Sequence, residues 1–185
     1  MPLSLPNLVT IARILLVPVT VWLLISEDFL PAVLVFALAG VSDAVDGFLA
    51  RRFNLQTELG TYLDPLADKA LLVSIYVTLS VLHILPAWLT IAVVTRDLLI
   101  VSAVILSWLM DRPLIMKPLW ISKVNTAWQI IFAGGVLGCL ALGIEAQWPI
   151  FAGALAVGTL TALSGAFYMR NWVRHMSING GGTSP

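Results

Sequence analysis

Four aspartates in an otherwise apolar part of the chain restrict its fold more than any other feature. Asp43 and Asp46 lie three residues apart, and Asp64 and Asp68 lie four apart, in flanks apolar enough to be membrane spans. One carboxylate at the centre of a membrane helix costs about 2.5–3.5 kcal/mol, and neighbouring carboxylates also repel one another unless a cation neutralises them. We therefore expect the aspartates to face the protein interior around a cation.

The spacing shows how the aspartates can meet. Residues three or four apart share one face of a helix, so each pair lies on one side of its own helix. The polar segment Arg51–Glu58 lets the two helices turn back on each other, and carboxylate oxygens placed in this way bind hard divalent cations. Gly47 and Gly60 leave room for a ligand near the backbone, and Arg51 offers a planar donor for phosphate oxygens.

The composition places the chain in a membrane. Of its 185 residues 59% are hydrophobic and only 11% are charged, whereas soluble domains contain about 25% charged residues. The net charge of zero argues against a nucleic-acid partner. The single Cys139 lies in an apolar run and is interpreted as a small packed hydrophobic residue.

Six segments are long and apolar enough to span a bilayer, which needs about 20 residues. They are approximately Asn7–Ile25, Pro31–Phe53, Glu58–Leu82, Ala87–Met110, Ile121–Gly143 and Pro149–Met169. We predict an all-α integral membrane protein with six transmembrane helices around a cytoplasm-facing polar cavity. Residues 1–170 would form this single domain, and residues 171–185, which end in Gly-Gly-Gly-Thr-Ser-Pro, would form a disordered tail.

The positive charges predict the orientation. Most Lys and Arg residues fall in or beside the second loop, the fourth loop and the C-terminus: Arg51, Arg52, Arg112, Lys117, Lys123, Arg170 and Arg174. The other three connections contain none. Because cytoplasmic segments are rich in Lys and Arg, we expect both termini and the aspartates on the cytoplasmic side, in a bacterial inner membrane.

The aspartates belong to a longer pattern, Asp43-x2-Asp46-Gly47-x2-Ala50-Arg51-x8-Gly60-x3-Asp64-x3-Asp68. At every fixed position it resembles the signature of the CDP-alcohol phosphatidyltransferases, which transfer a phosphatidyl or similar group from a CDP-linked donor to an alcohol and release CMP. The start of the first predicted span, Pro6-Asn7-x2-Thr10-x2-Arg13, is similar to the start of many members. The resemblance extends over nearly the whole chain.

The resemblance implies a set of roles. Two divalent cations, Mg²⁺ or Mn²⁺, would be held by Asp43, Asp46, Asp64 and Asp68, and Asp68 would also be the catalytic base for the acceptor hydroxyl. Members of the family are usually homodimers. The residues that would bind the nucleotide and the donor phosphates are Asn7, Thr10, Arg13, Gly47, Ala50, Arg51 and Gly60.

Three further segments resemble the eukaryotic-type cardiolipin synthases within this family: Phe36–Gly40, Arg96-Asp97 and Met116–Ala127. This implies CDP-diacylglycerol as donor and phosphatidylglycerol as acceptor. Phosphatidylglycerophosphate synthases share the signature but typically have Arg-Glu at the fourth span and a second Lys in place of Asn125. A phosphate monoester favours that extra cation, whereas a phosphodiester requires less positive charge. The acceptor-binding candidates are Arg96, Arg112, Lys117, Lys123 and Asn125.

Several alternatives remain open at this point. The acceptor could be glycerol 3-phosphate or another alcohol, and a divalent-cation transporter is a remote third interpretation, although no internal repeat supports it. Arg96-Asp97 is either an internal neutralising pair or a substrate contact. Lys69 is a counter-ion, a phosphate contact or a charge at the wet rim. The Gly134-x3-Gly138 pattern permits close helix packing, inside the bundle or in a dimer.

The charge distribution predicts which side each connection faces. In a Cys139→Ser background, a cysteine replacing Glu145 should react with a membrane-impermeant thiol reagent only from outside the cell. A cysteine replacing Thr183 should react only from the cytoplasm. Labelling at position 145 from the cytoplasmic side would contradict both the orientation and the six-span topology.

Overall fold

The computed structural model describes residues 5–53, 58–109 and 120–179. Side chains are described within these ranges except at 5–9, 44, 46–53, 58–66, 68, 104–105, 107–109 and 175–179. The described residues form six α-helices: α1 Leu5–Ile25, α2 Phe29–Phe53, α3 Glu58–Val81, α4 Ala87–Leu109, α5 Trp120–Ala141 and α6 Gln147–Asn179. The predicted all-α architecture and its six helices are therefore confirmed, and the ends of α1 to α5 lie within two residues of the prediction.

The end of α6 differs from the prediction. The helix continues to Asn179, so residues 171–179 of the predicted disordered tail are helical. The sequence from Ala166 to Asn179 contains neither glycine nor proline, and the first helix-breaking residues are the three glycines that follow. Those glycines and the remaining tail residues lie outside the described residues.

Length and composition identify fewer membrane spans than helices. Among the described residues, Trp120–Ala141 and Gln147–Arg174 are long and apolar enough to cross a membrane. The apolar stretches Thr10–Ile25, Phe29–Asp43 and Lys69–Val81 are shorter within the residues whose side chains are described. Six membrane spans stay a prediction.

Three connections at one end of the bundle share one backbone geometry. In the α1–α2 connection, the N–H groups of Glu27 and Asp28 donate to carbonyls three and five residues earlier, at 3.1 and 2.9 Å. The same pair of hydrogen bonds ends α3 at His83 and α5 at Gly143. Glu27, His83 and Gly143 all have a left-handed backbone, with φ of 60°, 60° and 63°. This helix-ending motif closes the connections within a few residues, so successive helices pack as antiparallel hairpins.

The helices enclose one apolar core. α1 packs against α2 and α3, α5 packs against α2, α3 and α6, and α4 packs against α3 and α6. The largest fully buried apolar side chains include Leu24, Ile75, Tyr76, Leu79 and Leu89. Three of these five belong to α3, so the helix that carries the second aspartate pair also fills much of the core.

The outward faces of the helices are also apolar. Large hydrophobic side chains are exposed on all six helices, among them Leu15, Trp22, Leu38, Val81, Ile91, Ile131 and Phe151. A soluble monomer exposes few contiguous apolar patches of this kind, whereas a lipid environment accommodates them.

Two glycines of α6 receive aromatic rings from neighbouring helices. A Cβ atom built on Gly153 would lie 2.4 Å from Phe132 Cε2 of α5, and one built on Gly158 would lie 2.4 Å from Trp88 Cζ3 of α4. By contrast, a Cβ on Gly138 would meet nothing within 4 Å, and one on Gly134 would reach only Phe36 Cε1, at 3.4 Å. Close packing inside the described bundle therefore occurs at α6 and not at the Gly134-x3-Gly138 pattern.

Replacing Gly153 with alanine should destabilise the bundle, because the new methyl group would overlap the Phe132 ring and the cost of overpacking is about 1–3 kcal/mol. Thermal unfolding in detergent should show a lower midpoint for Gly153→Ala. The matched control is Gly138→Ala, where the methyl group has room and alanine favours the helix by roughly 1 kcal/mol over glycine. Equal midpoints for the two variants would show that the ring contact contributes nothing.

Candidate functional site

Asp43, the first residue of the aspartate motif, forms an ion pair that joins α2 to α1. Arg13 Nη2 lies 2.8 Å from Asp43 Oδ1, with side-chain exposures of 3% and 41%. Thr10, one turn before Arg13, is also buried. Two predicted nucleotide-binding residues therefore lie on the α1 segment that meets the first predicted metal ligand.

The backbone supports the predicted grouping of the aspartates. α2 is helical through Asp43 and Asp46, and α3 is helical through Asp64 and Asp68, so each pair is about one turn apart on an uninterrupted helix. Among the four, only the side chain of Asp43 is described. Within the described residues, no three His, Cys, Asp or Glu side chains are grouped closely enough to hold a metal ion. The metal-binding set stays a prediction.

Several other predicted residues cannot be placed as side chains. Asn7, Gly47, Ala50, Arg51 and Gly60 lie on the helical backbones of α1, α2 and α3, but their surroundings are outside the description. The acceptor candidates Arg112 and Lys117 belong to residues 110–119, which lie outside the described residues. Their roles stay predictions.

An ion cluster in the bundle interior joins α3 to α4. Lys69 Nζ donates to both carboxylate oxygens of Asp97, at 2.8 Å and 2.7 Å. Arg96 Nη1 donates to Asp97 Oδ1 at 2.7 Å. The inner two members are shielded from solvent, with side-chain exposures of 4% for Arg96 and 10% for Asp97, whereas Lys69 is 37% exposed. We call these three residues the α4 ion cluster.

The guanidinium of the α4 ion cluster extends the network to α5 and α6. Arg96 Nη2 donates to Ser164 Oγ at 2.9 Å and also to Ser122 Oγ, and Arg96 Nε lies 3.3 Å from Ser164 Oγ. A buried charge is stable only when it is paired and hydrogen-bonded, and here the partners come from neighbouring helices. The internal neutralising pair, one of the two interpretations of Arg96-Asp97, is therefore confirmed. The acceptor contact of Arg96 stays a prediction.

A second polar chain runs beside this cluster. Thr161 Oγ1 donates to Asn125 Oδ1 at 3.0 Å, and Gln129 Nε2 donates to Thr161 Oγ1 at 3.2 Å. Tyr76 Oη donates to the Gln129 carbonyl at 3.1 Å. The chain ties α3, α5 and α6 together through buried groups, and Asn125 is completely buried while Lys123, two residues earlier, is exposed.

The contributions of α6 were missed from the sequence. Thr161 and Ser164 are buried and provide the partners of Asn125 and Arg96. The available signal was their spacing, since two hydroxyl residues three apart share one face of an otherwise apolar helix. That spacing places them toward the interior, but it does not tell which residue on another helix they meet.

A cavity of about 1130 Å³ lies at the end of the bundle formed by the α3–α4 and α5–α6 connections. Its lining includes Ser80, His83, Glu145 and Trp148. It contains none of the predicted site residues. The predicted polar cavity around the aspartates stays a prediction, because most of its lining lies outside the described side chains.

Comparison with known proteins shows a family match over most of the chain. The family profile described as CDP-alcohol phosphatidyltransferase matches residues 3–163. The "Cardiolipin synthase (CMP-forming)" of Homo sapiens is 40% identical over 152 residues, which cover 74% of this chain and 50% of the human protein. The chain therefore spans about half the length of that relative.

Some relatives of this chain are named for another activity. The "CDP-diacylglycerol--glycerol-3-phosphate 3-phosphatidyltransferase 1, chloroplastic" of Oryza sativa subsp. japonica is 39% identical over 152 residues, covering 73% of this chain and 46% of the plant protein. The "Probable phosphatidylglycerophosphate synthase" of Mycobacterium tuberculosis is 30% identical over 181 residues, covering 92% of this chain and 82% of its own length. The names of these relatives thus include two activities within one family. The chain belongs to the CDP-alcohol phosphatidyltransferase family.

Proposed function

We propose that this chain transfers the phosphatidyl group of CDP-diacylglycerol to phosphatidylglycerol, forming cardiolipin and releasing CMP. The observation that carries the proposal is the aspartate motif on α2 and α3 of a chain that belongs to this family. The choice of acceptor has its support in the similarity to cardiolipin synthases of Homo sapiens and Rattus norvegicus, at 40% and 39% identity.

The donor set fits divalent cations. Asp43, Asp46, Asp64 and Asp68 would hold two ions of Mg²⁺ or Mn²⁺, since carboxylate oxygens are the ligands that these hard cations prefer. The carboxylate of Asp43 is 41% exposed, so a cation can reach it. When bound, the metals would neutralise charge on the donor pyrophosphate and on the departing CMP.

The remaining roles belong to the chain's own side chains. Asp68 would accept the proton of the acceptor hydroxyl, whose oxygen then attacks the phosphatidyl phosphorus. The bond from that phosphorus to the pyrophosphate bridging oxygen breaks, and the electron pair leaves with CMP. Arg13 and Arg51 would hold phosphate oxygens, while Asn7, Thr10, Gly47, Ala50 and Gly60 would shape the nucleotide pocket.

Asn125 supports phosphatidylglycerol over glycerol 3-phosphate. A neutral amide here gives the site less positive charge than a lysine would, which suits a phosphodiester of one charge. Asn125 Nδ2 is buried and has no hydrogen-bond partner among the described residues, and an unpaired buried donor costs about 1–3 kcal/mol. A headgroup oxygen reaching this atom would satisfy it. Arg96, Arg112, Lys117 and Lys123 would contribute the positive charge of the acceptor site.

The second candidate function is phosphatidylglycerophosphate synthesis, with glycerol 3-phosphate as acceptor. The names of the relatives from Oryza sativa and Mycobacterium tuberculosis support this candidate. The aspartate motif suits either acceptor. The transporter interpretation has no support from the family to which the chain belongs.

The surroundings of the enzyme form part of the proposal. All six helices would cross the bilayer, with both termini and the active site on the cytoplasmic side of a bacterial inner membrane, and two copies would form a homodimer. The apolar outward faces of the helices support the membrane setting, and the placement of Lys and Arg residues supports the orientation.

The acceptor is tested by identifying the lipid product. Purified protein supplied with CDP-diacylglycerol, Mg²⁺ and phosphatidylglycerol should form cardiolipin, identified by mass. Supplied with glycerol 3-phosphate, it should form little phosphatidylglycerophosphate. Asn125→Lys should improve the KM for glycerol 3-phosphate by about tenfold, the equivalent of one charge-assisted hydrogen bond. Phosphatidylglycerophosphate as the main product of the unaltered protein would replace this proposal by the second candidate.

The aspartates are tested by removing one charge at a time. Asp46→Asn, Asp64→Asn and Asp68→Asn should each lower CMP release on the order of a hundredfold, because each loses a metal ligand or the base. Excess EDTA should abolish the activity of the unaltered protein. The matched control is Asp28→Asn, which removes an exposed carboxylate of the α1–α2 connection. Sustained CMP release in EDTA, or near-normal turnover of two aspartate variants, would exclude the two-metal site.

A further inference from the structure

The α4 ion cluster holds two cations for one carboxylate. Arg96 and Lys69 both donate to Asp97, so the three side chains together have a net charge of one positive unit. Asp97 accepts on both oxygens, from Lys69 on each and from Arg96 on Oδ1. Its two oxygens together accept three hydrogen bonds within the cluster, and one positive charge of the cluster is left without a carboxylate of its own.

The donors of Arg96 are used inside the protein. Its Nε, Nη1 and Nη2 atoms all donate to side chains, namely Ser164, Asp97 and Ser122. The side chain is 4% exposed. A guanidinium so enclosed has little room for a further partner. Arg96 therefore holds the Asp97 carboxylate in place, and the positive charge that can meet a ligand belongs to the other cation of the cluster.

Lys69 is the member that a ligand can reach. Its side chain is 37% exposed, against 10% for Asp97. An ammonium group has three N–H donors, and Asp97 accepts two of them. Among the described residues no other group accepts from Lys69, so the third donor is available to an anion.

The position of Lys69 connects the cluster to the aspartate motif. Lys69 directly follows Asp68 on α3, so its backbone is fixed within one residue of the last aspartate. A free lysine side chain loses rotational entropy when it is immobilised, and the contact with both Asp97 oxygens immobilises Lys69 before any substrate arrives.

We propose that Lys69 binds a phosphate oxygen of a lipid substrate, and that Asp97, itself held by Arg96, positions the Lys69 ammonium for this contact. The proposal rests on the proposed phosphatidyl transfer. The shared chemistry is an anionic phosphate ester, which both lipid substrates possess. Lys69 touches the substrate, whereas Asp97 is a positioning residue that acts through Lys69.

The two roles are separated by steady-state kinetics in which each lipid is varied in turn. Lys69→Gln should raise the KM of one lipid about tenfold, the equivalent of one charge-assisted hydrogen bond, with a smaller change in kcat. Lys69→Arg should recover most of this loss. A KM effect confined to CDP-diacylglycerol identifies the donor phosphate, and one confined to the acceptor identifies the acceptor phosphate. The control, Arg170→Gln, removes an exposed cation of α6 and should change neither KM.

The double variant tests whether Asp97 acts through Lys69. Asp97→Asn alone should raise the same KM as Lys69→Gln. Lys69→Gln combined with Asp97→Asn should be no worse than Lys69→Gln, since the positioned group is already absent. Two results would show that the cluster is only a structural ion pair. In the first, the KM increases of the two single variants multiply in the double variant. In the second, Asp97→Asn lowers the unfolding midpoint but leaves the KM unchanged.

A binding measurement keeps the test independent of turnover. Short-chain phosphatidylglycerol and short-chain CDP-diacylglycerol are titrated separately into detergent-solubilised protein, and the rise in unfolding midpoint is recorded. Lys69→Gln should weaken the response to at least one of them by about tenfold in concentration. Equal responses of Lys69→Gln and the unaltered protein to both lipids would overturn the phosphate contact. If cardiolipin synthesis fails while the binding difference persists, the proposed function is wrong and the Lys69 contact stands.

Discussion

The pairing of buried charges is the constraint on which the rest of this structure depends. An apolar bundle cannot hold an isolated ion without a large free-energy cost, and the chain meets this condition by pairing each described interior ion across two helices. Arg13 pairs with Asp43 between α1 and α2, and Lys69 with Asp97 between α3 and α4. Arg96 reaches α5 and α6 through serine hydroxyls. The relative position of the helices is thus specified by polar contacts as well as by the apolar core.

Helix lengths were predictable because the information is local. The apolar runs determined five helices to within two residues at each end. The C-terminal end of α6 was mispredicted because the end of an apolar run was taken as the end of the helix, although the residues after Met169 include no helix breaker before the glycines. Membrane apolarity and helical continuity are separate properties, and here they end about two to three turns apart.

Partner choice across the bundle was not predictable, since spacing gives the face of a helix but not what meets that face. Ser122, Asn125 and Gln129 share one face of α5, but only the structure shows that Ser122 meets Arg96 of α4 and that the other two meet Thr161 of α6. The glycine pattern of α5 showed the same limit. Gly138 leaves open space, while Gly153 and Gly158, which form no pattern of that kind, receive the rings of Phe132 and Trp88. A glycine permits close approach, and the neighbouring side chain decides whether it occurs.

The arrangement of cations suggests how one fold can serve acceptors of different charge. Arg13 and Arg96 are enclosed and paired, so their charges also help to hold the helices together, whereas Lys69 and Lys123 are more exposed. A substitution at an exposed cation alters the local charge without disturbing the buried pairs. Asn125 is different, because it is completely buried and its Oδ1 atom accepts a hydrogen bond from Thr161 of α6. A substitution there also changes the contact between α5 and α6. Under the proposed function, a change of acceptor at this position would therefore have to leave the paired interior, and with it the backbone of the aspartate motif, in place.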